Sequence, residues 1–205
     1  MTQTAARLSR EEKKARTRAQ LLDAARTVFA EHGFAGASLD QVAEEAGLTK
    51  GAVYSNFANK EDLVLAVLDD NFNRQMDEAL SKVDFEGTIE EQARVGGSIF
   101  FSKSRDEQWA ELLFLDFVIY AARNPEFRRR LAARHRESTA AIADVMVEGS
   151  SSHQWDLPMP AERLALVLNA LGNGLAMEQL IDPESVPEDL FAEVITLLWA
   201  NAAGP

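Results

Sequence analysis

Two short helical patterns joined by a tight turn constrain this chain most. Ser38 and Gln41 predict a capping box at the start of the first helix, because their side chains can satisfy the free backbone donors there. Gly47 ends that helix, since glycine adopts a left-handed backbone at low steric cost. A second helix is predicted from about residue 50 to 57, which makes the pair a helix-turn-helix. The first helix has one apolar face, formed by Leu39, Val42, Ala43 and Ala46.

The second helix has an outer face of small residues. At 100° per residue, Val53 and Phe57 point inward. Lys50 and Tyr54 flank the opposite side, where they can reach phosphates or base edges if small side chains let the backbone approach the DNA major groove. The alternative is a helical hairpin inside an all-α core, but the turn, the cap and the outer face together favour DNA recognition. The outward residues are Gly51, Ala52 and Ser55.

A longer motif surrounds these two helices. It comprises Leu21-Leu22-Asp-Ala-Ala25, Val28-Phe29-Ala-Glu31, Gly33-Phe34, residues 38–57 and Asn59-Lys60-Glu61-Asp62-Leu63. This motif resembles the tetracycline-repressor (TetR) family of bacterial transcription regulators. Beyond Leu63 the resemblance rests on helical pattern and length, so it does not imply a particular ligand.

The chain is therefore predicted to be all-α, with about nine helices in two parts. Residues 1–60 form a three-helix helix-turn-helix head with a basic N-terminal arm. Residues 61–205 form a helical bundle for effector binding and dimerisation. Caps and apolar periodicity place helices of the bundle at about 59–80, 88–103, 104–120, 125–148, 161–181 and 187–202, with a loop at 149–160.

Charge is distributed unevenly between the two parts. The net charge is −12, but residues 1–60 hold nine Lys and Arg against seven Asp and Glu, which leaves 12 bases and 26 acids for residues 61–205. A basic end suits contact with a polyanion, and the acidic remainder avoids it. Arg16 and Arg18 are candidate phosphate or minor-groove contacts. For residues 1–9 a disordered, solubilising tail is an equal alternative.

The residues predicted to contact DNA come from the arm, the two helices and the start of the next helix. They are Arg16, Arg18, Ser38, Thr49, Lys50, Gly51, Ala52, Tyr54, Ser55 and Lys60.

Catalytic and metal chemistry find no support in the sequence. The chain has no cysteine, and its three histidines are scattered without metal-ligand spacing. No orienting acid can be assigned to the run from Ser150 to His153, and neither a nucleophile elbow nor a phosphate-binding glycine loop is present. No uninterrupted apolar run approaches the length of a membrane span, and the N-terminus is polar. We therefore expect a cytoplasmic protein that is not an enzyme and has no cofactor, metal or membrane partner.

The last two predicted helices are apolar on more than one side, which indicates burial on more than one side. The resemblance implies dimerisation through these helices, and the alternative is a purely intramolecular core. Gly172 lies in a helix interior, where close helix approach would offset its cost of about 1 kcal/mol relative to alanine. The predicted interface residues are Leu164, Leu168, Leu171, Gly172, Leu175, Phe191, Ile195 and Leu198.

Bulky apolar residues are concentrated in the middle helices. Singly, each suits core packing; together they suit the effector pocket that the resemblance implies, which would be largely apolar or aromatic. Arg128, Arg129, Arg130, Arg134 and Arg136 suit a solvated face, with an acidic effector as the alternative. The candidate ligand residues are Phe72, Met76, Phe101, Phe114, Phe117 and Met146.

These features predict a ligand-responsive transcription regulator. The expected form is a repressor that binds a palindromic double-stranded DNA operator as a homodimer and is released by a small molecule. The alternative is a DNA-binding regulator controlled by a protein partner.

Overall fold

The computed structural model describes residues 9–82, 87–97, 108–153 and 156–202, which form helices and connecting turns without a strand. The prediction of an all-α fold with about nine helices is confirmed. In chain order the helices are α1 (Arg10–Gly36), α2 (Leu39–Glu45), α3 (Lys50–Tyr54), α4 (Lys60–Lys82), α5 (Ile89–Gly97), α6 (Trp109–Arg123), α7 (Pro125–His153), α8 (Ala161–Ile181) and α9 (Leu190–Ala202).

The head is built from α1, α2 and α3. Ser9 caps α1 in a reciprocal capping box with Glu12, so Arg16 and Arg18 lie within this helix. Gly33 interrupts the helix with a φ of 61°, and Gly47 turns the chain after α2 with a φ of 63°. The left-handed turn predicted at Gly47 is thus confirmed. The inward face of the head is apolar and buried, with Leu21, Ala25, Val28, Val42 and Val53 at its centre.

The long helix α4 connects the head with the rest of the chain. Leu63, Val64 and Val67 on α4 are fully buried and belong to the same apolar cluster as the head. Phe117 on α6 and Phe127 on α7 extend this cluster into the body. Helix α4 begins at Lys60, so the predicted boundary after residue 60 lies at the start of this helix. The buried core continues from the head into the body across this boundary.

The body packs α5 against α9 and α7 against α8. Two further apolar clusters hold it together, one centred on Leu164 and Phe191 and the other on Ala165 and Met76. Helix α7 continues to His153, beyond the predicted end near 148, and α9 begins at Leu190 rather than 187. The predicted limits near residues 103 and 104 lie outside the described residues.

Helix α8 is the most apolar long helix of the described chain. Its length and mean hydropathy of 1.3 would suffice for a membrane span, although Glu162, Arg163 and Glu178 interrupt its apolar sequence. A third of its apolar window is buried against other helices of the subunit. The inner side of α8 therefore belongs to the subunit core, and its outer side keeps exposed apolar residues.

Candidate nucleic-acid interface and ligand cavity

Two short side chains set the starts of the helices that form the helix-turn-helix. The Ser38 hydroxyl accepts a hydrogen bond from the Gln41 backbone N–H (3.2 Å), and the Thr49 hydroxyl accepts one from Ala52 (3.2 Å). The predicted capping box at Ser38 is changed in one respect, since the Gln41 side chain accepts from the Ser38 hydroxyl (2.8 Å). The side chains of Ser38 and Thr49 thus stabilise the starts of α2 and α3.

Helix α3 separates its inner and outer faces as the sequence predicted. Val53 is fully buried, and Phe57, just beyond the helix end, is also in the core. Tyr54 is 56% exposed, and Gly51 and Ser55 are exposed beside it. The Ser55 hydroxyl donates to the Ala52 carbonyl oxygen (2.9 Å), which ties it to the helix end. Apart from Tyr54 and Lys50, the exposed side of α3 therefore carries small side chains.

Lys50 joins α3 to α2. Its ammonium donates to the Asp40 carboxylate (Nζ–Oδ2 2.5 Å), and this hydrogen bond raises the pKa of Lys50 above its ordinary value. The pair is exposed, so its own contribution to stability is small. Lys50 remains accessible at the outer face, and any further anion would have to compete with Asp40 for its ammonium.

Lys60 has a different role from the DNA contact that the sequence predicted. Its ammonium donates to the carbonyl oxygens of Phe34 (2.6 Å) and Ala37 (2.8 Å) and lies 4.5 Å from the centre of the Phe34 ring. Partial burial lowers the pKa of Lys60. A cation in this position satisfies free carbonyl groups at the end of a helix. We therefore assign Lys60 to the joint between α1 and α4 instead of to DNA.

The basic residues in the first part of α1 lie on the exposed side of the head. Arg16 and Arg18 are both exposed, and the Arg18 guanidinium stacks over the Phe57 ring at 4.6 Å. The Gln20 side chain also donates to the Ala46 carbonyl oxygen (3.0 Å), which fixes α1 against the end of α2. Neither contact was predicted, because each joins residues far apart in the chain.

A cavity of about 590 Å³ lies between α4, α6, α7 and α8. Phe72 and Phe114 line it, in agreement with their predicted place at a pocket. Phe101 lies outside the described residues. The cavity walls also include the apolar residues Leu65, Leu68, Leu115, Val118, Leu131 and Met177.

Three predicted ligand residues are core residues instead. Phe117 is fully buried, and its ring meets that of Phe34 edge-on at 4.8 Å, so it connects α6 with the head. Met76 is buried in an apolar cluster at the α7–α8 contact, and Met146 packs between this cluster and the one around α9. The sequence analysis favoured core packing for each of these side chains taken singly, but residue type alone could not distinguish a packed core from a cavity wall.

The cavity has a polar wall that the sequence analysis missed. It carries Asp69 on α4, Glu111 on α6 and Arg134 with Glu137 on α7. Arg134 pairs with Asp69, and burial raises the pKa of Asp69 against the opposing effect of Arg134. The floor includes the Asn169 amide, which donates to the Thr139 hydroxyl (3.3 Å). The expectation of a largely apolar or aromatic pocket is therefore incomplete.

Polar contacts hold α4 against its neighbours along much of its length. At its start, Asp62 pairs with Arg130 of α7, and Glu61 accepts a hydrogen bond from the Tyr120 hydroxyl of α6 (2.9 Å). Further along, Asp70 pairs with Arg26 of α1. Together with the Asp69–Arg134 pair at the cavity, these contacts connect the cavity, α4 and the head.

The residues predicted for a dimer interface are mostly internal. Leu164, Leu168, Gly172, Phe191 and Ile195 are buried within the subunit. The other three, Leu171, Leu175 and Leu198, pack against the same cluster. This placement corrects the sequence analysis for the five buried residues, because side chains that fill the subunit core cannot form the surface offered to a second copy; the three partly buried leucines stay predicted interface residues.

A different set of apolar residues forms the outward face of α8. Leu166 is 54% exposed and Ile181 is 74% exposed, with Ala170 and Met177 on the same side of the helix. Leu197 of α9 is also exposed. Apolar residues at 166, 170, 177 and 181 lie along one helix face, which exposed Asn173 interrupts midway.

Two family models match this chain. Residues 21–67 match the model described as bacterial regulatory proteins, tetR family. Residues 97–198 match the model described as the C-terminal part of a BetI-type transcriptional repressor. The first match covers the helix-turn-helix and the start of α4, and the second covers most of the body.

Known regulators resemble the chain over most of its length. The transcriptional regulator TtgR of Pseudomonas putida is 31% identical over 193 residues, which cover 87% of this chain and 86% of TtgR. The transcriptional activator FasR of Mycolicibacterium smegmatis is 29% identical over 189 residues, covering 89% and 81% of the two chains. The crystal structure of the multidrug binding protein EbrR with imidazole has a TM-score of 0.63 and 25% identity, covering 97% of each chain.

Proposed function

The chain belongs to the tetracycline-repressor (TetR) family of DNA-binding transcriptional regulators, which are not enzymes, and from this premise we propose that it is a repressor. In this proposal it binds a palindromic operator as a homodimer in the cytoplasm, and a small-molecule effector releases it. The outer face of α3 carries the proposal. Tyr54 and Lys50 stand beside exposed small residues while Val53 anchors the helix from within. That arrangement suits a helix that enters the major groove.

The proposed DNA contacts are those that the structure leaves accessible. Tyr54, Gly51, Ser55 and Lys50 lie on the exposed side of α3, and Arg16 and Arg18 lie on the exposed side of α1. Side chains on α3 would read base edges, and the arginines would contact phosphates. The small size of Gly51 and Ser55 gives close approach but few hydrogen-bond donors, so DNA shape would contribute to the choice of operator.

We propose that the second copy docks on the outward face of α8. Leu166, Met177 and Ile181 would form its centre, with Leu197 of α9 at its side. A stable interface of this kind buries more than about 1,200 Å² in total. Two-fold symmetry would then place the two α3 helices at half-sites about 34–36 Å apart, one turn of the DNA helix.

We propose that the effector occupies the cavity and acts through α4. This helix forms part of the cavity wall at Asp69 and Phe72, and its first residue, Lys60, holds the end of α1. A ligand that prefers a conformation with displaced α4 would change the spacing between the two heads. Moving the population from 1:99 to 99:1 requires a difference in affinity of about 5.5 kcal/mol between the two conformations. By reciprocity, DNA would weaken ligand binding by the same factor.

Control by a protein partner is the second candidate. An exposed apolar strip on α6 favours it, since Leu112 and Ile119 are 55% and 54% exposed outside the proposed dimer face. A protein bound there would also lie close to Asp116, whose carboxylate accepts a hydrogen bond from the Phe34 backbone N–H (3.1 Å) in the head. Substitution of Leu112 would abolish regulation in this candidate but not in the ligand-released form.

The test begins with the DNA upstream of the gene that encodes this chain. A labelled duplex that contains an inverted repeat from this region should bind the purified protein, as measured by fluorescence anisotropy, and a scrambled duplex should not. A reporter gene under this promoter should be expressed more strongly without the regulator, because bound repressor blocks transcription. Lower expression without it would identify an activator and overturn the repressor proposal while leaving DNA binding intact.

A further inference from the structure

The cavity between α4, α6, α7 and α8 has more acidic than basic groups. Three carboxylates contribute to its wall, those of Asp69, Glu111 and Glu137. Among the described lining residues the basic side chains are Arg134 and, beside it, His135. Counting the three carboxylates against the Arg134 guanidinium, the described part of the wall has two more acidic than arginine groups.

Arg134 is already occupied by carboxylates. Its guanidinium pairs with Asp69, and its Nη1 atom lies 4.0 Å from Glu137. An anionic ligand would have to compete with both groups for this cation. The other arginines of α7 do not line the cavity, and Arg130 pairs with Asp62. Arg134, the arginine of α7 that lines the cavity, therefore binds an acidic effector only in competition with these carboxylates.

The surroundings of the carboxylates strengthen their effect on a charged ligand. Burial raises the pKa of Asp69, which shows that this carboxylate is poorly solvated, and Glu111 is half-buried. Charges interact more strongly where water is partly excluded. Phe72 and Phe114 add aromatic rings, which attract cations through their faces and pack against apolar groups.

We propose that the effector is an organic cation with an apolar body of aromatic size. Its charge lies against Asp69, Glu111 and Glu137, and its body lies against Phe72 and Phe114. The cavity volume of about 590 Å³ is within the range of sites for drug-sized molecules. This inference rests on the proposed function, in which this cavity is the effector site.

Three probes with one naphthyl body separate charge from shape. They are (1-naphthylmethyl)trimethylammonium, 1-naphthylmethanol and 1-naphthylacetate, each titrated calorimetrically into the full chain at one fixed ionic strength. The ammonium should bind at least about tenfold more tightly than either of the others. Since the three share a body, an affinity difference of this size reports the charge preference of the site.

Substitutions locate the probes and the charge effect. Phe72→Ala should weaken all three probes by a similar factor, because it removes a wall that each of them contacts. Glu111→Gln keeps the shape of the side chain and should weaken only the ammonium, by about fivefold. Glu137→Gln removes a second, more exposed carboxylate and replaces Glu111→Gln in the test if that variant disturbs folding. Glu126→Gln, exposed at the start of α7 outside the cavity, is the matched control and should change nothing.

Each result decides the inference. Selective ammonium binding that is lost in the carboxylate variants supports it. Equal affinities, or tightest binding of naphthylacetate, overturn the cationic ligand class but leave the cavity as an effector site. Failure of all three probes to bind overturns the inference and also removes effector control through this cavity from the proposed function. DNA binding is measured on the same sample by anisotropy, so it stands or fails separately.

Discussion

The head and the body differ in what they expose. In the described part of the head, the exposed large hydrophobic side chain is Tyr54, and the rest of the outer surface of α3 is small or polar. The body exposes large apolar groups on five helices, α4 and α6 to α9, among them Ile119 of α6, Ile181 of α8 and Leu197 of α9. The outer surface of the head therefore suits a polar, charged partner. The body has exposed apolar faces that further burial would stabilise.

This difference predicts opposite responses to the same chemical change. A charge introduced into the interior of the head should unfold it, because the inner face of α3 is completely buried. A charge introduced on the outer face of α8 should leave the subunit folded and act only on assembly. Four experiments test the contrast, beginning with the largest expected effect.

Val53→Asp should destabilise the head by more than about 4 kcal/mol, since it places an unpaired carboxylate where the native side chain is fully buried. Circular dichroism should show loss of helix content together with loss of operator binding. Ser55→Asp, on the opposite side of α3, is the control. It should keep the helix content and reduce DNA affinity through repulsion of phosphates. Equal stability of the Val53 variant and wild type would show that α3 is not anchored as described.

Leu166→Asp should dissociate the dimer, with a loss of about 3 kcal/mol of association free energy, because it introduces a charge at the centre of the proposed interface. Sedimentation or light scattering at micromolar concentration measures the change, and circular dichroism should remain that of wild type. Leu112→Asp, on the exposed strip of α6, is the matched control and should leave the dimer intact. The reverse result would place the interface on α6.

Lys60→Met should destabilise the chain by about 2 kcal/mol. The variant leaves the carbonyl oxygens of Phe34 and Ala37 without their charged donor. Urea unfolding measures the stability, and operator titrations at several salt concentrations measure the number of phosphate contacts. The salt slope should stay that of wild type. If stability is unchanged and the slope falls by about one charge, Lys60 contacts a phosphate, as the sequence first indicated.

Tyr54→Ala and Lys50→Ala should each weaken operator binding by about 1–2 kcal/mol without changing the fold, because both side chains are exposed on α3. Anisotropy titrations give the affinities, and thermal unfolding checks the fold. Lys82→Ala, exposed at the far end of α4, removes a similar charge away from the head and should have little effect. Wild-type affinity in both α3 variants would rule out α3 as the recognition helix.

Sequence reasoning succeeded where the deciding contacts are local. Ser38 bonds to a backbone group three residues ahead, and Gly47 sets its own turn, so both features were predicted from short segments. The cap at Thr49 is equally local, but the sequence analysis did not predict it. It did not identify the role of Lys60, whose partners are 23 and 26 residues away. The sequence analysis treated the Lys60 ammonium as a free basic group, because no residue near it in the chain indicates these carbonyl partners.

The body was harder to predict for a different reason. Helix α8 is apolar on several sides, so periodicity indicated burial without showing which side, such as that of Leu168 or that of Leu166, fills the subunit core. The acidic wall of the cavity could not be predicted because its residues are far apart in the sequence. Asp69, Glu111 and Glu137 come from three helices, and each one alone resembles a residue of a solvated helix face.

The ion pairs along α4 mean that ionic strength acts on this protein in two places. Salt competes with Lys and Arg for DNA phosphates, which makes the logarithm of the binding constant fall linearly with the logarithm of salt concentration. Salt also weakens the partly exposed pairs of Asp62 with Arg130 and Asp69 with Arg134, which hold α4 to α7. Loosening of α4 adds to the loss of affinity at high salt. A slope measured there would then count more phosphates than the protein touches, and the slope at low salt gives the better count.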